Sequence, residues 1–199
     1  MKCCTLLCPQ CHKVLSPSGQ PDCPSCNHFD LLGLPTTYNI DVKQLERRFK
    51  ALQMDLHPDK FSRASESQHE LSADASTRLN EAFATLKSPM LRAKYLLESK
   101  GVDPFSEDGK TPTDMKILTE AMELREELDV LATLAEVDAF AKRVGERTKA
   151  VELELASALG DTQQLDYAVT LAVRLRYLES ILEEARHKAP TTSSSSSTS

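Results

Sequence analysis

Tryptophan is absent from this chain of 199 residues, and Phe and Tyr together bring the aromatic share to only 5%. So few aromatic faces leave little with which to stack nucleic-acid bases, which argues against a nucleic-acid partner. Long apolar runs are missing too. Nothing approaches the roughly 18 consecutive apolar residues of a bilayer-crossing helix, and Met1-Lys2-Cys3-Cys4 does not open onto the apolar run of a secretory signal. No membrane role is expected. An Arg- and Ser-rich amphipathic opening of the organelle-import kind is also lacking, so a cytosolic start is the default reading. Finally, no segment alternates apolar and polar residues with period two, which leaves an all-α fold outside the cysteine-rich opening.

Charge is present but unevenly placed. Residues 1–100 hold 13 Lys/Arg and 11 Asp/Glu, and the remainder holds 11 and 19, so the halves carry +2 and −8. The asymmetry points to two modules, and the acidic second half is a further argument against nucleic acid.

Helical periodicity organises the rest. From Asp41, apolar residues recur at Val42, Leu45, Phe49, Leu52 and Leu56 until Pro58 bars continuation. A second pattern runs from Ser67 through Leu71, Ala75, Leu79, Ala82, Phe83 and Leu86 to Ser88-Pro89, and Leu91 to Leu97 forms a short third helix. The Gly-, Pro- and Asp-rich segment GVDPFSEDGKTP reads as a linker over 101–112. Beyond it, Thr113-Asp114 caps a helix expected to run to about Leu134, a second spans Glu136 to Leu159, and a third, capped by Asp161 or Thr162, reaches His187. Short turns between long helices predict an antiparallel three-helix bundle over 113–188. The tail TTSSSSSTS has nothing to bury, and 189–199 is expected to be disordered.

All six cysteines fall within the first 26 residues. The spacing Cys8-x2-Cys11-x11-Cys23-x2-Cys26 lets two pairs of thiolates converge on one tetrahedral ion, and four soft ligands with no open position point to one structural zinc in a knuckle over 1–27. A redox pair would want a thioredoxin-like βαβ setting, and disulfides an oxidising compartment. Cys3 or Cys4 could take the place of a member of the set, and His12 stands beside it.

The first long helix carries Lys43, Arg47, Arg48 and Lys50, and the tripeptide His57-Pro58-Asp59 comes where that helix stops. Alone, such a tripeptide is a turn: Pro restricts His57, and Asp59 caps the segment after it. Between two amphipathic helices, and beside a basic one, it becomes a docking loop for an acidic partner.

Several segments then match a known pattern. Phe29-Asp-Leu-Leu-Gly-Leu34, Leu45-x2-Arg48-Phe49-x2-Leu52-Gln53, His57-Pro-Asp-Lys-Phe61 and Leu79-Asn80-x-Ala82-Phe83-x-Thr85-Leu86 resemble the J-domain of the HscB co-chaperone family. The resemblance continues through Ser88-Pro89-x2-Arg92-Ala93-x-Tyr95-Leu96-Leu97 and Met122-Glu-Leu-Arg-Glu-Glu-Leu128, covering about residues 28–187. His-Pro-Asp alone marks any J-domain protein, whereas the last two segments belong to the iron–sulfur branch. The resemblance implies a J-domain over 28–100 that stimulates ATP hydrolysis by a DnaK-type heat-shock chaperone, and a bundle that presents to it an IscU-type iron–sulfur scaffold. It implies an adaptor and not an enzyme, placed in the mitochondrion. His57, Pro58 and Asp59, with Lys43, Arg47 and Arg48, are then chaperone-binding; Asp55 adds an acidic group to that surface where the family has none. A general J-domain co-chaperone holding clients with its zinc knuckle is the alternative.

For the scaffold face, the helical period of about 100° per residue gathers Ile117, Ala121, Leu124, Leu128 and Leu131 into a core stripe, with Met115, Thr119, Met122 and Glu126 opposite and Leu118 between. On the last helix Leu171, Leu175, Leu178 and Leu182 form the core stripe, and Val169, Val173 and Tyr177 a second apolar stripe on a side expected to face solvent. By resemblance, Leu118, Met122, Glu123, Glu126 and Tyr177 bind the scaffold, and an antiparallel pairing of their two helices is expected to join Met122 and Tyr177 into one patch.

Overall fold

The computed structural model describes residues 27–55, 66–105 and 114–188. All regular structure among them is helical: α1 His28–Leu31, α2 Val42–Asp55, α3 Glu66–Lys87, α4 Pro89–Ser99, α5 Met115–Val130, α6 Leu134–Leu159 and α7 Leu165–His187. The chain divides into two compact units, Met1–Leu96 and Leu97–Ser199, with the division inside α4. The cysteine knuckle, the His57-Pro58-Asp59 loop, linker residues 106–112 and tail 189–199 lie outside the described residues.

The first unit is built on an antiparallel helical hairpin. Asp41 caps α2 by accepting from the Lys43 and Gln44 amides at 2.9 and 3.2 Å. The Phe49 ring of α2 stacks on Phe83 of α3 at 4.0 Å, and Glu46 pairs with Lys87 at 3.2 Å, which sets the register. Leu45, Ala75, Leu79, Ala82 and Leu86 fill the space between. The short α1, not foreseen from periodicity, is held by a reciprocal capping box of Asn27 and Asp30 and inserts Phe29, fully buried. Two residues of the Arg92-Ala93-x-Tyr95 segment are struts. Arg92 is buried, donates to the Leu86 carbonyl at 2.6 Å and lies over the Tyr38 ring. Tyr95 accepts from the His28 amide at 3.0 Å and stacks on its imidazole at 4.3 Å.

The second unit is an up-down-up bundle. Asp114 caps α5 through the Lys116 amide. The helix stops at Val130 and not near Leu134, because Thr133 and Glu136 form a capping box that starts α6. Asp161 caps a 3₁₀ turn, Thr162–Gln164, from which α7 continues. Glu127 with Arg143 and Glu120 with Arg147 tie α5 antiparallel to α6. The expected antiparallel pairing of α5 with α7 is corrected: Glu120 meets Arg174, Arg125 meets Glu184, and Lys188 Nζ donates to the Leu128 and Asp129 carbonyls, so the two helices run parallel. Two reversals of the chain lie between them, which returns α7 to the direction of α5. The second apolar stripe of α7 is corrected as well. Val169 and Val173 are buried, not surface, because α7 packs against both α5 and α6 and needs two apolar stripes. Leu131, as the α5 C-cap, and Leu182 are only half-buried, while Ile181 and Ala185 complete the core.

Candidate functional site

Each unit carries one candidate docking face. On α2, Lys43, Arg47 and Lys50 are exposed, and Met54 is 70% exposed. Spaced by four, three and four residues, they form one stripe within about 60°, opposite Leu45 and Leu52. Arg48 is not on it. It is half-buried, and its guanidinium donates to the carbonyls of Leu32 and Gly33. Gly33 has φ +63°, and the Arg48 guanidinium occupies the space a Cβ there would need. The stripe ends at the last described residues of α2, just before His57, Pro58 and Asp59, which lie outside the described residues.

On the bundle, Met122 is 62% exposed, Glu123 and Glu126 are exposed, and Leu118 and Tyr177 are half-buried. The ion pairs supply their register. Glu120 stands opposite Arg174, and Arg125 reaches Ser180 and Glu184, so in the parallel pair Met122 and Tyr177 lie at one level. Arg125, to which the sequence reading gave no role of its own, is the link. It chelates Glu184 with contacts of 2.9 to 3.2 Å. That bond holds the Glu184 carboxyl below the usual carboxylate range and the guanidinium above its own. Arg125 lies within the Met122–Leu128 segment, but its partner is 59 residues away, and no local pattern announces it. Arg176 is a second residue of this kind: it packs over Phe105 at 4.5 Å and Tyr177 at 5.7 Å, flanking the tyrosine with a cation. An adaptable methionine and an aromatic edge rimmed by carboxylates suit a partner with an apolar recess and a basic border.

The four expected zinc ligands, Cys8, Cys11, Cys23 and Cys26, lie outside the described residues. Among the described residues no cluster of His, Cys, Asp and Glu could hold a metal ion, and no helix is long and apolar enough to cross a membrane.

Both units have counterparts among known proteins. The family model of the HSCB C-terminal oligomerisation domain matches residues 113–186, the bundle. The crystal structure of human co-chaperone protein HscB is similar over 94% of this chain and 90% of that one, with a TM-score of 0.75 and 27% identity. Chaperone HscB from Vibrio cholerae is 32% identical, covering 81% of this chain and 96% of that one, with a TM-score of 0.71. The chain belongs to the HscB co-chaperone family. Jac1 co-chaperone from Saccharomyces cerevisiae is similar at 25% identity and a TM-score of 0.67, over 84% of this chain and 97% of that one. Membership of the HscB family gives the motif segments a concrete meaning. Those around Arg92 and Tyr95 hold together the first unit, the J-unit, and the one from Met122 to Leu128 lays an exposed face along α5.

Proposed function

We propose that this HscB-family protein is an adaptor which stimulates the ATPase of a DnaK-type heat-shock chaperone and delivers to it an IscU-type scaffold for iron–sulfur cluster assembly and transfer. ATP hydrolysis belongs to the partner. Within this chain, His57, Pro58 and Asp59 engage the chaperone, with Lys43 and Arg47 steering its approach; Arg48 contributes by holding the turn at Gly33. Leu118, Met122, Glu123, Glu126 and Tyr177 take the scaffold. The observation that carries the reading is the position of Met122, exposed on the bundle of an HscB-family chain at the level of Tyr177. A large apolar side chain so far out of the core contributes little to the fold and fits an interface anchor.

Cys8, Cys11, Cys23 and Cys26 would hold one zinc ion, since four thiolates in two Cys-x2-Cys pairs match its tetrahedral preference; Cys3 and Cys4 are the competing donors. Bound there, zinc would supply folding energy to the knuckle and no chemistry. We read the protein as mitochondrial, a reading supported by its resemblance to the family.

Two substitution sets test the adaptor reading. Replacing Leu118, Met122 and Tyr177 together with Ala should cost about 2 kcal/mol or more of scaffold affinity by calorimetry, while chaperone stimulation without scaffold is retained. His57→Gln should abolish stimulation and leave scaffold binding intact. A folded His57→Gln protein that stimulates fully refutes the J-domain assignment, and unchanged scaffold binding in the triple variant places that site elsewhere.

A further inference from the structure

Three methionines among the described residues stand well out of the fold: Met54 at 70% exposure, Met115 at 71% and Met122 at 62%. Two of them share α5. Seven residues apart, Met115 and Met122 fall within about 20° of each other around the helix, opposite the buried Ile117, Ala121, Leu124 and Leu128. Neither thioether is shielded by the core, so both are open to small oxidants in the free protein.

Resting on the scaffold-binding reading above, we propose that Met122 is a reversible modification site: a hydroperoxide converts it to the sulfoxide and thereby releases the scaffold. The chemistry balances without help from the chain. The thioether sulfur attacks one peroxide oxygen, the O–O bond breaks, that oxygen stays on sulfur, and the other leaves as water or alcohol. Sulfur loses two electrons and the peroxide gains them. Return to the thioether takes two electrons from a dithiol, which becomes a disulfide and releases water, in the reaction of methionine sulfoxide reductases.

The position decides why this modification would act as a switch and not as damage. In the free protein the added S=O dipole points into water, and no core contact is lost, so the bundle keeps its stability. In the complex the same dipole would enter the apolar recess that the scaffold-binding reading assigns to Met122, losing its water there, which opposes binding. Leucine at this position would present similar apolar area with no such sensitivity. Its neighbour Leu118, half-buried and chemically inert, remains as a partial anchor, so oxidation weakens the contact without erasing the site. Met54 provides an internal control, because it lies on the basic face of α2, in the other unit.

The full-length protein is treated with hydrogen peroxide, then with a thiol reductant to restore reversibly oxidised cysteines, and sulfoxide at Met122 is verified by peptide mass spectrometry. Calorimetric titration with an IscU-type scaffold should show affinity weakened about tenfold or more, with an unchanged thermal melt. A Met54→Leu/Met115→Leu double variant should lose affinity on peroxide treatment to the same degree, and sulfoxide reductases with dithiol should restore it. In Met122→Leu, whatever affinity the variant starts from, peroxide should leave it where it was. Unaltered affinity in wild-type protein carrying the Met122 sulfoxide overturns the inference, as does a peroxide effect that persists in Met122→Leu. Failure of the untreated protein to bind scaffold would instead sink the reading of the site, and the inference with it.

Discussion

The guanidinium of Arg48 on α2 is spent on the backbone of the Gly33 turn, sixteen and fifteen residues earlier in the chain, where it donates to the Leu32 and Gly33 carbonyls. Arg47, its neighbour, is exposed to solvent and donates to the Lys43 carbonyl one turn back. Adjacent arginines on one helix therefore serve different ends. Arg48→Ala should destabilise the J-unit by about 1–2 kcal/mol through two carbonyls left without their donor. Arg47→Glu should change stability by no more than about 0.5 kcal/mol and weaken chaperone stimulation in a salt-sensitive way. Chemical denaturation and an ATPase assay at two ionic strengths separate the two outcomes.

His28 gives the J-unit a dependence on pH. Burial against Tyr95 lowers its imidazole below the ordinary value of 6.5; Glu81 opposes this and Arg78 adds to it. A histidine depressed in the folded state binds its proton more readily when unfolded, so its contribution to stability is full above about 6.5 and falls away as pH drops through the lower, folded value. His28→Phe, which keeps a ring to stack on Tyr95, should flatten that part of the stability curve between neutral and mildly acid pH. Denaturant midpoints measured across that range provide the check; an undiminished slope would assign the effect to another group.

Leu124 and Met122 are two positions apart on α5 and face opposite ways, at 4% and 62% exposure. Leu124→Ala should cost roughly 2–5 kcal/mol of bundle stability, and Met122→Ala no more than about 0.5 kcal/mol. Thermal melts of the two single variants would expose an error in the assignment of faces if the order were reversed.

The cysteine-rich opening is expected to bind about one zinc ion per chain, lost on replacing Cys23 and Cys26 with Ser. Helicity of residues 28–188 should survive, because both helical units have apolar cores of their own. Elemental analysis beside circular dichroism decides the matter: iron in place of zinc, or collapse of helicity without metal, would contradict it.

Much of the local structure was legible because its causes are local. Asp41, Asp114 and Asp161 each cap a helical segment as their side chains require, Pro89 comes after Ser88 as the first residue of α4, and the stripe from Ile117 to Leu128 is buried as its period demands. Even the early end of α5 had a local signal in Thr133-x-x-Glu136, which the continuing leucine pattern obscured.

Relations between distant residues were a different matter. Periodicity says that α7 has two apolar stripes, but not that both are covered; that depends on its packing against two neighbours at once. Charge on α2 says that a basic face exists, yet only the approach of the Gly33 turn removes Arg48 from it. Met122 and Tyr177 share a level because Glu120, Arg125 and Leu128 find partners on, or capping, a helix that runs parallel to their own. The amino-acid sequence by itself determined where helices start, stop and turn their apolar sides, since hydrogen bonding and burial along one helix act over a few residues. Which of those sides stayed open for a partner was decided by the tertiary structure alone, because covering a face requires atoms from elsewhere in the chain.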